Sequence, residues 1–249
     1  MDRLKGKTAV ITGGTTGLGF ETAKQFLAEG ARVIITGQHR ERLATAAQEL
    51  GALAIPVHAD VRSLSDLTTL SRRVQEEFGW LDILFANDGI GAFAPLEAID
   101  EKFYDNQFDI NVKGVFFTVQ KLAGLLNEGA SVILTASAVH EKGMAMGSVY
   151  FATKAAVRSF ARTLAAELAP QRIRVNTISP GLVPTAFQSK MGLSPEVMNE
   201  FAAYVTKTAP LGRLGKPEEI ASTVVFLASN ESSYVSAADF VVDGGFMNV

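Results

Sequence analysis

The stretch TAVITGGTTGLG, from Thr8 to Gly19, joins a short apolar run to a turn that contains four glycines. An apolar run of this length predicts a buried strand, and a segment of helical period begins directly behind the turn. Glycines at this place let the backbone bend sharply and let main-chain N–H groups approach a phosphate closely. The alternative is an ordinary tight turn, which rarely needs so many glycines. The stretch therefore predicts a strand, a turn that binds a pyrophosphate, and a helix whose N-terminus faces that anion.

Short apolar runs rich in Val and Ile alternate along the whole chain with longer segments of helical period. This alternation is typical of βαβ units around a parallel sheet that helices cover on both faces. We expect strands at Thr8–Thr12, Arg32–Thr36, Ala54–His58, Ile83–Ala86, Ser131–Thr135, Arg174–Ile178 and Phe240–Val242. We expect helices at Leu18–Glu29, Glu41–Leu50, Asp66–Phe78, Phe103–Leu126 and Val149–Leu168. The predicted fold class is α/β, with three αβα layers and a doubly wound parallel sheet of about seven strands.

The composition excludes several classes of protein. The chain has 249 residues, 47% of them hydrophobic, and a net charge of −3 from 23 basic and 26 acidic residues. This balance argues against disordered chains, fibres and strongly basic nucleic-acid binders. Cysteine is absent, which excludes a disulfide scaffold and a thiolate metal site and agrees with a cytoplasmic location. No run of about 18 apolar residues and no secretory leader is present, so we expect no membrane partner.

One domain over residues 1–249 is expected, because no linker, repeat or low-complexity tract interrupts the pattern. The segment from Pro184 to Thr208 breaks the alternation with prolines and a glycine. It is too long for an ordinary connection, which predicts either a substrate lid or partial disorder. The histidines His39, His58 and His140 are too scattered to share a metal ion, so no metal site is predicted.

A group of polar side chains follows the fifth predicted strand. Lys154 comes four positions after Tyr150, so both lie on one face of a helix. Taken alone, this pair is better explained as part of the surface of an amphipathic helix. Ser137, however, stands behind the C-terminal end of a strand, where doubly wound sheets bind their ligands. Together the three groups can hold and protonate an oxygen atom, with Tyr150 as the acid and a phenol pKa that the Lys154 ammonium lowers.

The spacing T-G-x-x-x-G-x-G of the glycine turn, together with Ser137, Tyr150 and Lys154, resembles the short-chain dehydrogenase/reductase family. The resemblance covers essentially the whole chain. It implies a Rossmann fold, a nicotinamide dinucleotide cofactor and a Ser-Tyr-Lys catalytic set. It also implies that Asn111 is a fourth catalytic residue, which supports Lys154 through a water. The family further implies a homotetramer in which the two longest predicted helices pack against their counterparts.

The predicted cofactor contacts combine the glycine turn with positions taken from the resemblance. The segment Gly37-Gln38-His39-Arg40 lacks the carboxylate that bonds the ribose 2′-hydroxyl of NAD. Arg40 is suited to pair with a 2′-phosphate, so NADP(H) is favoured over NAD(H). The alternative is that Arg40 is a solvated residue of the first helical turn. Asp88, where the family usually has Ala, lies either beside the cofactor channel or in a stabilising turn. The predicted contacts are Gly13, Thr15, Thr16, Gly17, Leu18, Gly19, Gly37, Gln38, His39, Arg40, Asp60, Val61, Asn87, Gly89, Tyr150, Lys154, Pro180, Gly181, Val183 and Thr185.

The expected activity is that of an oxidoreductase that interconverts a secondary alcohol and a ketone with NADP(H), a carbonyl reductase or alcohol dehydrogenase. Three alternatives remain: a 3-oxoacyl-thioester reductase, an epimerase or dehydratase, and a non-catalytic dinucleotide-binding regulator. The expected partner is a small molecule, bulky or apolar, and not nucleic acid. The residues predicted to line the binding site of this small molecule are Val139, His140, Met144, Met146 and Phe187. Of these, His140 is either a substrate contact or a solvated loop residue.

Overall fold

The computed structural model describes residues 2–188 and 191–249. Within these ranges, seven parallel strands form one sheet in the order β3-β2-β1-β4-β5-β6-β7. The strands are β1 Thr8–Ile11, β2 Arg32–Gly37, β3 Ala54–His58, β4 Leu81–Ala86, β5 Leu126–Thr135, β6 Arg174–Pro180 and β7 Asp239–Val242. The predicted fold class is confirmed. Because β1 pairs with both β2 and β4, the strand order reverses beside β1, and ligands of such sheets bind at that point.

The helices follow the strands along the chain. They are α1 Gly17–Ala28, α2 Arg40–Leu50, α3 Leu64–Phe78, α4 Glu101–Phe108, α5 Val115–Ala123, α6 Ser148–Leu168, α7 Pro195–Thr208 and α8 Pro217–Ala228. Glycines follow α2 and α3 with positive φ, 88° at Gly51 and 78° at Gly79. Side chains with β-carbons rarely adopt that conformation, so these glycines end the helices where the sequence predicts. No helix in the described part of the chain is long and apolar enough to cross a membrane.

Two hydrophobic cores lie on opposite faces of the sheet, because successive residues of a strand point to opposite sides. On β1, Ala9 and Ile11 belong to one core, which Phe26 of α1 and the apolar residues of α2 and α8 complete. Val10 between them belongs to the other core, with α3, α5 and α6. All three strand residues are fully buried. Burial on both faces explains why the strand reads as an uninterrupted apolar run.

The single helix predicted over Phe103–Leu126 is wrong. The chain instead forms α4, a π-helical stretch over Asp109–Gly114, and α5, which already ends at Ala123. Periodicity did not reveal the interruption, because the buried positions Asn111, Gly114 and Thr118 keep a spacing of three to four residues through it. The π-helical stretch carries Asn111, whose side chain bonds to the backbone of Ile90. Leu126 begins β5 and pairs with Leu81 ahead of an irregularity in the ladder.

The segment from Pro184 to Thr208 ends in a regular helix, α7, so the alternative of partial disorder is wrong for that part. Ser194 caps it, because its Oγ accepts a hydrogen bond from the N–H of Val197 at 3.4 Å, and Pro195 occupies the first helical position. Both are strong signals for a helix start. Residues 189 and 190 of the predicted lid lie outside the described residues. Helix α8, which the sequence analysis missed, also begins with a proline, Pro217.

Candidate active site

A cleft runs along the carboxyl ends of β1, β4, β5 and β6, beside the reversal of strand order. Most of the predicted cofactor residues line it: Gly13, Thr15, Thr16, Gly17, Leu18, Gly37, Gln38, His39, Asn87, Gly89, Tyr150, Lys154, Pro180, Gly181, Val183 and Thr185. Asp88 also lies in its wall, which agrees with the first of the two interpretations of that residue. The wall does not include the predicted contacts Gly19, Arg40, Asp60 and Val61.

The glycine turn has the backbone that a phosphate site requires. Gly13 and Gly17 adopt positive φ values of 63° and 57°. A β-carbon on Gly19 would overlap the carbonyl oxygen of Gly13, so this glycine allows the turn to pack directly on α1. Thr16, the N-cap of α1, makes no side-chain capping bond, and the first helical turn has no acidic residue. The N–H groups at the N-terminus of α1 therefore remain available to an anion, and the glycine turn fits a pyrophosphate.

The far end of the cleft, behind β2, is exposed and polar. Gln38 and His39 lie there, and the cation beside them is Arg42, which the sequence analysis missed. Arg40 was chosen because it is next in the sequence, but it begins α2 and does not line the cleft. Side chains on a helix lean toward its N-terminus, so Arg42 reaches back over the first turn. The direction of helical side chains was the signal that could have identified it.

A second guanidinium lies close to Gln38. Arg62 holds Asp60 through two ion-paired contacts, Nη2 to Oδ2 at 2.5 Å and Nε to Oδ1 at 3.0 Å. Its hydrogen bonds to the carboxyl group keep the pKa of Asp60 below the ordinary value. Nη2 of Arg62 also donates to Oε1 of Gln38 at 3.4 Å. The Asp60 carboxylate is therefore paired with a cation. Asp60 was predicted to contact the cofactor, but it lies outside the wall of the cleft.

The structure brings the three predicted proton-transfer residues together. Tyr150 and Lys154 lie one turn apart on α6, and Ser137 follows β5 directly. The Ser137 hydroxyl lies close enough to the Tyr150 phenol to lower the pKa of that phenol by hydrogen bonding. Nζ of Lys154 donates to the carbonyl oxygen of Thr135 at 2.9 Å and lies 5.8 Å from the centroid of the Tyr150 ring. The relative exposure is 9% for Ser137, 8% for Tyr150 and 3% for Lys154, so water has little access to any of them.

Burial dominates the electrostatics of this end of the cleft. It raises the pKa of Tyr150 to about 12, and the hydrogen bond with Ser137 opposes it only partly. The rings of Phe93 and Phe187 lie 5.5 Å and 6.3 Å from the Tyr150 ring and remove water from it. Burial also lowers the pKa of Lys154 to about 8. In both cases the low-dielectric surroundings disfavour the charged form.

The sequence analysis expected the opposite shift for the Tyr150 phenol. It counted the attraction of the Lys154 ammonium for a phenolate and left out the loss of hydration. In the fold that ammonium is bonded to the Thr135 carbonyl, and burial outweighs it. Tyr150 therefore keeps its proton at neutral pH, which is the state that a proton donor needs.

Asn111 lies near Lys154, but its side chain forms hydrogen bonds with other residues. Its Oδ1 accepts from the N–H of Ile90 at 2.9 Å, and its Nδ2 donates to the Ile90 carbonyl at 2.8 Å and to Oγ1 of Thr153 at 3.0 Å. A β-carbon added to Gly89 would lie 3.2 Å from Nζ of Lys154 and 3.4 Å from Oδ1 of Asn111. Asn111 thus holds the chain behind β4 in place beside the lysine.

The loop behind β6 contains a polar residue that the sequence analysis missed. Gln188 lines the cleft, where its Nε2 donates to the Val183 carbonyl at 2.6 Å and its Oε1 accepts from the N–H of Thr185 at 2.7 Å. A carboxamide side chain thus bonds the loop at two of the predicted cofactor contacts, Val183 and Thr185. An isolated Gln gave no sequence signal, because its role depends on the fold of the loop.

The wall around Tyr150 is strongly apolar. Of the predicted substrate residues, Val139, Met144 and Phe187 line it, whereas His140 and Met146 do not. The His140 side chain is only 5% exposed, so it is neither a substrate contact nor a solvated loop residue. The wall residues missed by the sequence analysis are Phe93, Phe151, Met191, Phe201, Val205 and Phe246. Three of them come from α7 and the C-terminal segment, whose approach to the cleft is a tertiary feature.

This doubly wound sheet, with a glycine turn at its switch point and a Ser-Tyr-Lys group in the same cleft, defines a nicotinamide-dependent oxidoreductase. A family model described as enoyl-(acyl carrier protein) reductase matches residues 13–247. The chain belongs to the short-chain dehydrogenase/reductase family, and it is an oxidoreductase that acts on CH–OH groups.

Similar proteins span the full length of the chain. Oxidoreductase asL5 of Sarocladium schorii is 42% identical, with 100% of this chain and 99% of that protein covered. The NADP-dependent (R)-specific alcohol dehydrogenase of Lentilactobacillus kefiri is 35% identical, with 98% of each chain covered. The 3-ketoacyl-(acyl-carrier-protein) reductase of Brucella melitensis, solved as a complex with NADH, superposes with a TM-score of 0.91 at 30% identity and covers 98% of this chain and 99% of that one.

Proposed function

We propose that this chain is an NADP(H)-dependent carbonyl reductase, which reduces a bulky apolar ketone to a secondary alcohol and catalyses the reverse oxidation. The observation that most directly supports this proposal is the buried Tyr150 phenol, which lies beside the Ser137 hydroxyl and holds its proton at neutral pH. The same cleft contains Lys154 and the glycine turn that fits a pyrophosphate. The proposed catalytic residues and the proposed cofactor site thus lie at the same edge of the sheet.

In the proposed reaction the bound dinucleotide supplies a hydride, two electrons with one proton, to the carbonyl carbon. Tyr150 gives its phenolic proton to the carbonyl oxygen as that oxygen becomes negative. The Ser137 hydroxyl donates a hydrogen bond to the same oxygen and fixes its distance from the phenol. Lys154, when protonated, contributes positive charge that stabilises the phenolate left behind. The walls around Tyr150 exclude water, which strengthens each of these interactions.

NADP(H) is supported by the charges at the exposed end of the cleft. Arg42 lines the wall beside Gln38 and His39, and Arg62 donates to Gln38. Asp60, the acidic group paired with Arg62, is neutralised by that pairing. A guanidinium pairs well with a phosphate, whereas a free carboxylate would repel it. The NADP-dependent relative agrees with this assignment.

A bulky apolar substrate is supported by the aromatic lining near the catalytic residues. Phe93, Phe151 and Phe187 surround the Tyr150 ring at centroid distances of 5.5 Å, 6.1 Å and 6.3 Å. Helix α7 adds Phe201 and Val205 to the same wall, which supports the role of this helix as a lid. A hydrophobic ring system buries apolar area against such walls, and small polar sugars do not.

The direct test is an assay of ketone reduction with NADPH and NADH, followed by the absorbance of the reduced nicotinamide. The panel contains an aryl alkyl ketone, a bicyclic ketone, a sugar ketone and a 3-oxoacyl thioester. We expect the highest kcat/KM for the apolar ketones with NADPH. Preference for the thioester would instead establish the 3-oxoacyl-thioester reductase, and no net turnover with any carbonyl would point to the epimerase or dehydratase.

We also propose that the enzyme is a homotetramer built on the outer faces of α5 and α6. Phe116 on α5 and Phe160 on α6 are half-buried, and their ring centroids are 5.4 Å apart. Light scattering coupled to size-exclusion chromatography measures the assembly directly. A mass of one chain across the micromolar range would contradict the proposal.

A further inference from the structure

His140 occupies an unusual position next to the proposed active site. It lies in the short 3₁₀ turn Ala138–Glu141, which directly follows Ser137. Its imidazole is 5% exposed and lies outside the cleft wall. A histidine buried behind a catalytic serine contacts no substrate, so its role must be sought in the groups that surround it.

The Nδ1 atom of the ring is bonded to the serine itself. Nδ1 lies 2.6 Å from the carbonyl oxygen of Ser137, and the backbone N–H of His140 donates to that same oxygen at 3.1 Å. A carbonyl oxygen only accepts, so Nδ1 must carry a proton. The imidazole thus adds a second, side-chain hydrogen bond to the carbonyl of the residue that holds the substrate oxygen.

The other ring nitrogen faces negative charge. Nε2 lies 3.4 Å from Oδ2 of Asp239 and 3.5 Å from Oε1 of Glu141, and it is buried without a well-aligned hydrogen bond among the described residues. A bare Nε2 would direct its lone pair at two carboxylates, which is repulsive. A protonated Nε2 converts both contacts into attraction, and burial leaves that attraction poorly screened. The ring with protons on both nitrogens is therefore the form that fits.

The two carboxylates are not equivalent. The Asp239 side chain is 15% exposed, and its Oδ1 accepts hydrogen bonds from the hydroxyls of Thr177 and Ser179 at 2.6 Å each. The Glu141 side chain is 78% exposed and lies in solvent on the histidine's own turn. The next cation, Lys142, is directed at the ring of Phe246, with Nζ 4.2 Å from its centroid. Asp239 is thus the partner that is rigidly held, by strands β6 and β7.

We propose that His140 is a positioning residue: as an imidazolium it links Asp239 at the edge of the sheet to the Ser137 carbonyl and so holds the Ser137 hydroxyl against Tyr150. The proposal rests on the role of Ser137 in the proposed function. Ser137 has an extended backbone, with φ −164° and ψ 149°, and its side chain does not cap the following turn. Its hydroxyl is thereby left to Tyr150, and the link through His140 adds a side-chain restraint to the backbone hydrogen bond of this turn.

The kinetic test compares His140→Gln, Asp239→Asn and the matched control Glu141→Gln. The first two variants should lower kcat for ketone reduction about tenfold, because a displaced reacting group loses much of its orientation. The dissociation constant for NADPH, from fluorescence titration, should be unchanged. The double variant should be no slower than either single variant, since both break the same link. Glu141→Gln should retain wild-type kcat, because its carboxylate is solvent-exposed.

A spectroscopic readout keeps the proposal separate from the proposed function. The chain has 3 histidines, so the ¹⁵N ring resonances of His140 can be assigned as those that persist in both His39→Gln and His58→Gln. At one pH, the Nε2 resonance of His140 should be displaced in Asp239→Asn relative to the wild type, while Glu141→Gln leaves it nearly in place. This measurement needs no substrate and no turnover, so it remains informative even if ketone reduction is never observed or His140→Gln does not fold.

Three results would overturn the proposal. One is a His140 Nε2 resonance at the same position in the wild type and in Asp239→Asn. Another is a Glu141→Gln variant as slow as Asp239→Asn, which would show a general loss of negative charge instead of a specific link. The third is a folded His140→Gln variant with full kcat. Normal activity of a Ser137→Ala variant would instead remove the proposed role of Ser137 and leave the spectroscopic result intact.

Discussion

The two ends of the cleft use charge in different ways. At the end behind β2, Gln38, His39 and Arg42 are exposed, and water reaches every polar group. At the end behind β5, Tyr150 and Lys154 are buried. Burial raises the pKa of Tyr150 and lowers that of Lys154, and both shifts favour the neutral form. Exposed charges interact weakly because water and salt screen them. We infer that the exposed end selects the cofactor by modest free energies, whereas the buried end controls the reaction by large ones.

The largest effect is expected at the buried phenol. Tyr150→Phe removes the proton donor and leaves the ring packing unchanged, so kcat for ketone reduction should fall about 10² to 10⁴-fold. Binding of NADPH, measured by fluorescence titration, should be retained. Tyr234→Phe is the matched control, because that phenol is fully exposed, and it should behave as the wild type. Near-normal turnover of Tyr150→Phe would remove Tyr150 from the proposed role and end the contrast between the two ends.

The second prediction concerns the stability of the buried ammonium. Burial lowers the pKa of Lys154 from 10.5 to about 8. Below pH 8 the lysine is charged in both states, and the folded state bears the loss of hydration. Lys154→Met should therefore stabilise the fold at pH 7 by about 2 kcal/mol, once about 1 kcal/mol for the lost bond to Thr135 is subtracted. The same variant should lose catalysis.

The pH dependence gives the sign of this effect independently. Between pH 8 and 10.5 the unfolded chain binds a proton that the folded chain does not, so wild-type stability rises relative to the variant in that window. Urea unfolding at pH 7 and pH 10 measures the difference, which should shrink at the higher pH. Lys102→Met, on the exposed face of α4, should show no such change. A constant difference at both values would mean that Lys154 is not desolvated as the structure indicates.

A smaller effect is expected at the exposed end. Arg42→Ala should weaken NADPH binding about tenfold, the loss of one phosphate contact of about 1.4 kcal/mol, and leave NADH binding nearly unchanged. Arg40→Ala is the matched control, because Arg40 is equally exposed but does not line the cleft. Raised salt should reduce the effect of Arg42. Equal losses for NADPH and NADH would refute the assignment of Arg42 to the 2′-phosphate.

The smallest effect is expected at the start of α7, which covers the buried end. Ser194→Ala removes the cap that accepts from the N–H of Val197 and should destabilise the helix by about 1 kcal/mol. Amide hydrogen exchange along α7 should become faster, and KM for an apolar ketone should rise slightly while kcat is retained. Ser194→Asp, which keeps an acceptor oxygen, should restore protection. Unchanged exchange in Ser194→Ala would show that packing alone holds this helix.

Much of the fold was predictable, because local patterns determine it. The apolar runs predicted all seven observed strands, with ends correct to within two residues except at the start of β5, which lies five residues earlier than predicted. The glycines behind α2 and α3 marked where those helices end. The prediction failed at Phe103–Leu126, where the buried positions keep helical spacing through a π-helical stretch, which therefore leaves no trace in the periodicity. Helix α8 was missed although Pro217 marks its start, which was an unused signal and not a missing one.

For the candidate site, the sequence determined which chemical groups are present and in what order. Glycines behind a strand, and a Tyr and a Lys four positions apart, are local features, and the fold brings them into one cleft. Only the tertiary structure decided how those groups behave. Loss of hydration depends on what packs around a side chain, so the rings of Phe93 and Phe187 raise the Tyr150 pKa, although neither lies near it in sequence. The contact of His140 with Asp239, 99 positions further along the chain, likewise exists only because β7 lies beside β6.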